Sequence, residues 1–179
     1  MGENGYEFSE KNSVYRKYNV LLANKETRPM RPIEILDESI DTIKIARRKC
    51  ISGKDTLKTY YSSDKSDYSL YREGFIDAQM GIEMFLKGLI EYYGESYLEA
   101  HHTKMNGSIL ENLSREYPNL LELREAFEIL QDNEFAYMMY KCSKFPKYQK
   151  FSSDKKFRYN IYQLIDLFIK YADQHILTE

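Results

Sequence analysis

The residues best suited to chemistry lie late in the chain. Lys144, Lys147, Lys150, Lys155, Lys156 and Arg158 fall within fifteen residues, with Asp154 as the one acid among them. Phe145, Tyr148, Phe151 and Phe157 stand between them, and Tyr159 directly follows. Cations neutralise phosphates and rings stack on bases, so this interleaving is the composition that a sequence-tolerant nucleotide or nucleic-acid contact needs. The bland alternative is that the rings fold inward and the lysines only solvate a connector.

Other chemistries have thinner support. The histidines are His101, His102 and His175. Adjacent histidines cannot point both rings to one helical face, and the Glu99/His102 E-x-x-H has no second copy of the kind a dimetal bundle needs. No metal and no cofactor is expected. The chain has no G-x-S-x-G nucleophile elbow and no glycine-rich phosphate loop, which removes the common hydrolase and nucleotide-kinase arrangements. Glu83 and Lys87 read as a helix-surface pair, and Met138 and Met139 as core filler.

A net charge of −2 confines any attraction for polyanions to a local patch. Cys50 and Cys142 have neither zinc-type nor C-x-x-C spacing and read as reduced structural thiols. Without a secretory apolar stretch near the start or an apolar run of membrane-spanning length, the expectation is a soluble cytoplasmic protein with no membrane partner. Seventeen tyrosines and no tryptophan give faces that suit both cores and interfaces.

The elements that must hold these residues read as helices. Only eight glycines and four prolines among 179 residues leave few turns for an all-β fold. Residues 1–31 lack a sustained period and are assigned to an N-terminal extension, with a single bundle domain over 32–179. From Pro32, the stripe Ile33, Leu36, Ile40, Ile43 and Ala46 predicts a helix to about residue 51. The polar stretch 52–69 predicts a loop. Phe75, Ala78, Ile82, Phe85 or Leu86, Leu89 and Tyr93 predict a central helix that stops at Gly94, and Met80 and Met84 add a second apolar edge to it. Ile109, Leu110 and Leu113 mark another helix. Pro118, with Asn119 and Glu122 in a capping pattern, starts one that runs on toward Tyr137 and Met138. Ser153 or Asp154 caps a last helix carrying Phe157, Ile161, Leu164, Phe168 and Tyr171. The predicted fold is all-α, an up-and-down antiparallel bundle of five helices.

This order of elements resembles the HEPN domains over roughly residues 32–177. The central helix Ala78 to Gly94, with Ala78, Glu83, Leu86 and Lys87, is similar to the family's A-x-x-x-x-E-x-x-L-K pattern. Ser143-Lys144-Phe145-Pro146 resembles its S-R-Y-P segment, although lysine lacks the guanidinium fork and phenylalanine the hydroxyl. The resemblance implies a helical, commonly dimeric domain of prokaryotic toxin–antitoxin or defence systems, often beside a nucleotidyltransferase-type partner and associated with RNA cleavage or nucleotide binding. Cleaving members carry an arginine a short run ahead of a histidine. No arginine stands so before His101, His102 or His175; Lys170 before His175 is the nearest approach. The expectation is therefore a non-catalytic HEPN-like homodimer that binds a protein partner, nucleotide or RNA through His102, Ser143, Lys144, Phe145, Lys147 and Tyr148. Lys144 and Lys147 would hold phosphate, and Phe145 or Tyr148 would stack. The alternatives are a diverged ribonuclease using His102 or Lys170/His175, and a purely structural interaction protein.

Overall fold

The computed structural model describes residues 33–98, 102–144 and 151–178. The predicted extension over 1–31 lies outside the described residues. Among those described there are six α-helices, a six-residue 3-10 helix and a further 3-10 turn over residues 151–153, and no strand. The helices are α1 (Ile33–Ser62), α2 (Tyr68–Tyr92), α3 (Thr103–Leu113), α4 (Arg124–Gln131), α5 (Asn133–Lys144) and α6 (Lys155–His175), with the 3-10 helix Pro118–Leu123 between α3 and α4. The expected all-helical class holds, and none of these helices is long and apolar enough to cross a membrane.

Two expectations need correction, and both corrections have local causes. Residues 52–62 are not loop; they are the last three or so turns of α1. The apolar stripe continues past Ala46 through Cys50, Gly53, Leu57 and Tyr60, all buried, with alternating three and four spacings. Gly53 reads as a breaker because it lacks a side chain, yet that lack is what the packing requires. A Cβ there would lie 2.3 Å from the Ala78 nitrogen and 2.7 Å from the Gly74 carbonyl oxygen. Along the same seam a Cβ on Gly81 would meet Cys50 Sγ at 2.5 Å, and one on Gly88 would meet Ile43 at 2.7 Å. Burial along this close antiparallel seam outweighs the roughly 1 kcal/mol that glycine costs a helix interior. The turn then falls at residues 63–67, where Lys65 has φ 60°. Asp67 caps α2 by accepting from the amides of Ser69 and Leu70.

The second correction concerns the long helix expected after Pro118. It is three pieces: the 3-10 helix, α4 and α5. Asp132 makes the break between α4 and α5, with extended backbone at ψ 117° and a carboxylate that accepts from the amides of Glu134 (2.8 Å) and Phe135 (3.2 Å). A side chain that satisfies the next helix's first amides competes with helix continuation, so a new helix starts there. The expected capping pair does not form either. Asn119 donates to the Tyr93 hydroxyl (2.8 Å), and Glu122 lies against His175. These breaks raise the α-helix count from five to six.

The remaining helices close around α2. Phe75 meets Phe157, Phe85 stacks on Phe168 at 5.6 Å, and the Tyr93 and Tyr171 hydroxyls bond, so α6 lies parallel to α2. It lies antiparallel to α1, to which Arg47–Asp173 and Lys54–Asp166 tie it. Such part-exposed ion pairs add little stability and mainly set register. Ile82, Phe85, Leu86, Leu89 and Ile90 of α2 are fully buried among Leu110, Leu120, Leu123, Leu164 and Phe168. Met138 and Met139 are buried, as expected of filler. Met80, assigned above to a second packed edge, is 43% exposed.

Candidate functional site

The antiparallel pairing of α1 and α6 brings the end of one beside the start of the other. On α1, Lys58, Tyr61 and Ser62 have i, i+3, i+4 spacing and share a face. On α6, Lys155, Arg158, Tyr159 and Tyr162 share another. Together with Lys156 they line an open hollow of about 640 Å³. Four cations and three tyrosine rings face it, and no carboxylate lines it.

The hollow is organised around Tyr61. Its hydroxyl donates to the Ser152 carbonyl just before α6, and the Arg158 guanidinium lies over its ring, 4.1 Å from the centroid. A guanidinium set over a ring by its central carbon still has N–H donors to offer a planar acceptor. Burial raises the Tyr61 phenol well above its ordinary value, and Arg158 pulls it partly back. Tyr162 is raised for the same reason, with Arg158 again opposing. Both phenols are therefore neutral near pH 7 and act as rings and donors. Tyr159 is 61% exposed and offers its face to solvent.

The cations are not equivalent. Lys156 binds Asp132 at 3.0 Å and lies 3.9 Å from Glu134; its hydrogen bond to Asp132 chiefly raises its pKa. Lys58 and Lys155 are exposed and have no carboxylate partner among the described residues. Asp154 occupies the start of α6, accepting from the Phe157 amide at 2.8 Å, so the helix terminus itself is filled. Two exposed ammonium groups, one guanidinium edge and one open ring can hold a phosphorylated, ring-bearing ligand. The lining contains no histidine, cysteine, aspartate or glutamate to act as nucleophile or base.

No protein-family model, curated protein or solved structure matches the chain. The chemistry of the hollow therefore rests on its own residues.

Of the residues singled out from sequence, Lys155, Lys156, Arg158 and Tyr159 come together here, while Phe157 of the same segment is buried against Phe75 and Phe135. Ser143 and Lys144 end α5, and Phe145, Lys147 and Tyr148 lie outside the described residues, as does Glu99. His102 is exposed at the start of α3, makes no side-chain cap, and does not line the hollow. His175 packs on Tyr171 with ring centroids 4.8 Å apart. Its buried Nε2 lies 3.0 Å from Glu122 Oε1 without hydrogen-bond alignment, and Lys170 is exposed. The sequence reading missed Lys58, Tyr61, Ser62 and Tyr162. The first three fell in the stretch taken for loop; extending the apolar stripe through Gly53 would have placed them on the outer face of α1.

Proposed function

We propose that this chain is a non-catalytic, HEPN-like helical domain that binds nucleotide or single-stranded RNA in the hollow between α1 and α6. One observation carries the reading: Lys58, Lys155 and Arg158 stand beside the exposed ring of Tyr159, with no lining carboxylate to neutralise them. Phosphate supplies the charge that these cations lack, and a base supplies the partner that the ring lacks. The expected contacts at Lys144, Phe145, Lys147 and Tyr148 rest on the sequence alone and belong to this proposal on that footing. A homodimer and a nucleotidyltransferase-type partner follow from the family resemblance alone and belong to this proposal on that footing.

The test is binding of a labelled single-stranded RNA, followed by fluorescence anisotropy, to the wild type and two double variants. Lys58→Ala with Lys155→Ala is expected to weaken binding at least about tenfold, in line with the loss of two charge-assisted contacts. Lys144→Ala with Lys147→Ala reports on the connector. Wild-type affinity in the Lys58/Lys155 variant removes the hollow from the function.

A further inference from the structure

The register of α1 against α6 decides what length of ligand the hollow fits, and the following rests on the binding reading above. Three ties fix that register: Arg47 to Asp173, Lys54 to Asp166, and the Tyr61 ring to the Arg158 guanidinium. Each tie lies about two turns from the next on both helices, so the pair stays in step along the seam. In that register Lys58 stands level with Tyr162, Arg158 follows about one turn along beside Tyr61, and Lys155 comes one turn after Arg158. The three cations therefore form a row. At 1.5 Å of rise per residue their backbone levels are about 5 Å apart, and the row is about 10 Å long. Lys156, the fourth lining cation, is held aside by Asp132.

Carboxylates mark both ends of the row. Asp166, bound to Lys54, lies one turn beyond Tyr162, and Asp154 accepts from the Phe157 amide at the start of α6. A polyanion laid along the seam meets positive charge over the row and like charge past either end. A nucleic-acid strand advances about 3.4 Å per nucleotide when stacked and further when extended. Three consecutive phosphates of a partly extended strand thus match the three cations, whereas the phosphate of a mononucleotide meets one level of the row.

We infer that the seam is a short track for single-stranded RNA, taking three consecutive phosphodiesters on Lys58, Arg158 and Lys155 in that order, with one base against the exposed ring of Tyr159. The site selects a strand over a free nucleotide by length.

The experiment measures how well oligouridylates of increasing length, with hydroxyl ends, and uridine monophosphate displace a labelled single-stranded RNA from the full chain at several salt concentrations. A hydroxyl-ended strand has one phosphodiester fewer than its nucleotides, so the tetranucleotide is the first to fill the row. Each added phosphodiester up to that length is expected to tighten binding about threefold, the scale of an exposed ion pair, and to steepen the slope of log K against log salt by about 0.7. Longer strands gain only in proportion to the number of ways they can lie on the row, with no further steepening. Lys155→Ala, at an exposed end of the row, should move the limit to the trinucleotide. Arg158→Gln, in the middle, should lower the slope by the same amount and leave the limit at the tetranucleotide, because both end cations still engage. Displacement by the monophosphate or the dinucleotide as strong as by the tetranucleotide overturns the inference and leaves the binding reading standing. A slope that keeps steepening beyond the tetranucleotide, or a limit that Lys155→Ala does not move, overturns it in the same way. No binding of the labelled RNA overturns both.

Discussion

Gly53→Ala should be among the most damaging single-methyl additions in this protein. The new Cβ would stand 2.3 Å from the Ala78 nitrogen, 2.7 Å from the Gly74 oxygen and 2.8 Å from the Ala78 Cα, all backbone atoms. Ordinary contact begins near 3.4 Å, so α1 and α2 must part locally by about 1 Å. A gap of that size forfeits a quarter to a half of each dispersion contact along the seam. Overpacking of this kind costs about 1–3 kcal/mol or more, and alanine's better helix propensity returns about 1 kcal/mol. Because no side chain can rotate away, we expect the upper end, a net loss of about 2 kcal/mol. For a domain of this size that lowers Tm by about 4–8 °C. Gly107→Ala is the control: its Cβ meets Leu130 Cδ1 at 3.0 Å and Cβ at 3.2 Å, contacts with a side chain that can give way. It should change stability by less than about 1 kcal/mol, propensity and crowding nearly cancelling. Urea or thermal unfolding followed by circular dichroism measures both. Equal stability of the two variants would refute the argument that backbone contact holds this seam. The same parting would displace Lys58 and Tyr61, so the first variant should also weaken ligand binding.

Other perturbations probe the supports of the hollow. Tyr61→Phe keeps the ring under Arg158 and removes the hydroxyl's bond to Ser152, and should cost about 1 kcal/mol in equilibrium unfolding, while Tyr61→Ala costs more because the stack is lost as well. The Lys156 ammonium, followed by the Phe135 amide, holds the Asp132 carboxyl below its ordinary value. Its contribution is therefore complete above the unfolded carboxylate pKa of about 4 and is lost as pH falls through the lower folded value. Asp132→Asn retains a capping side chain without the charge, and should flatten part of the stability decline below about pH 4 in acid titrations of the unfolding free energy. Burial pushes the Cys50 thiol up to about 12. Alkylation at pH 8 should accordingly modify Cys50 only on unfolding, as peptide mass spectrometry with and without urea would show.

The helical class and most helix positions were legible because burial here follows the 3.6-residue period, as in the stripe from Phe157 to Tyr171 that Asp154 caps. Two features were not. Glycine at residue 53 looks like a stop to any local reading, and its tolerance depends on Gly74 and Ala78, which the fold brings to it. Asp132 looks like a surface residue within a helix, and only its bonds to the next two amides make it a break. The candidate site was half visible for the same reason. Lys155, Arg158 and Tyr159 belong to a basic, aromatic run that composition reveals, whereas Lys58 and Tyr61 join them only because α1 continues past Gly53 and lies antiparallel to α6. His102 stands out in the sequence by its E-x-x-H spacing from Glu99, and it is exposed at the start of α3 and does not line the hollow.

The most direct test of the binding account is the salt dependence of affinity for a single-stranded oligonucleotide. Three cations without carboxylate partners predict a slope of log K against log salt of about −2 for the wild type, and about −1.4 for Lys155→Ala. A wild-type slope near zero, or one that Lys155→Ala leaves unchanged, would contradict it.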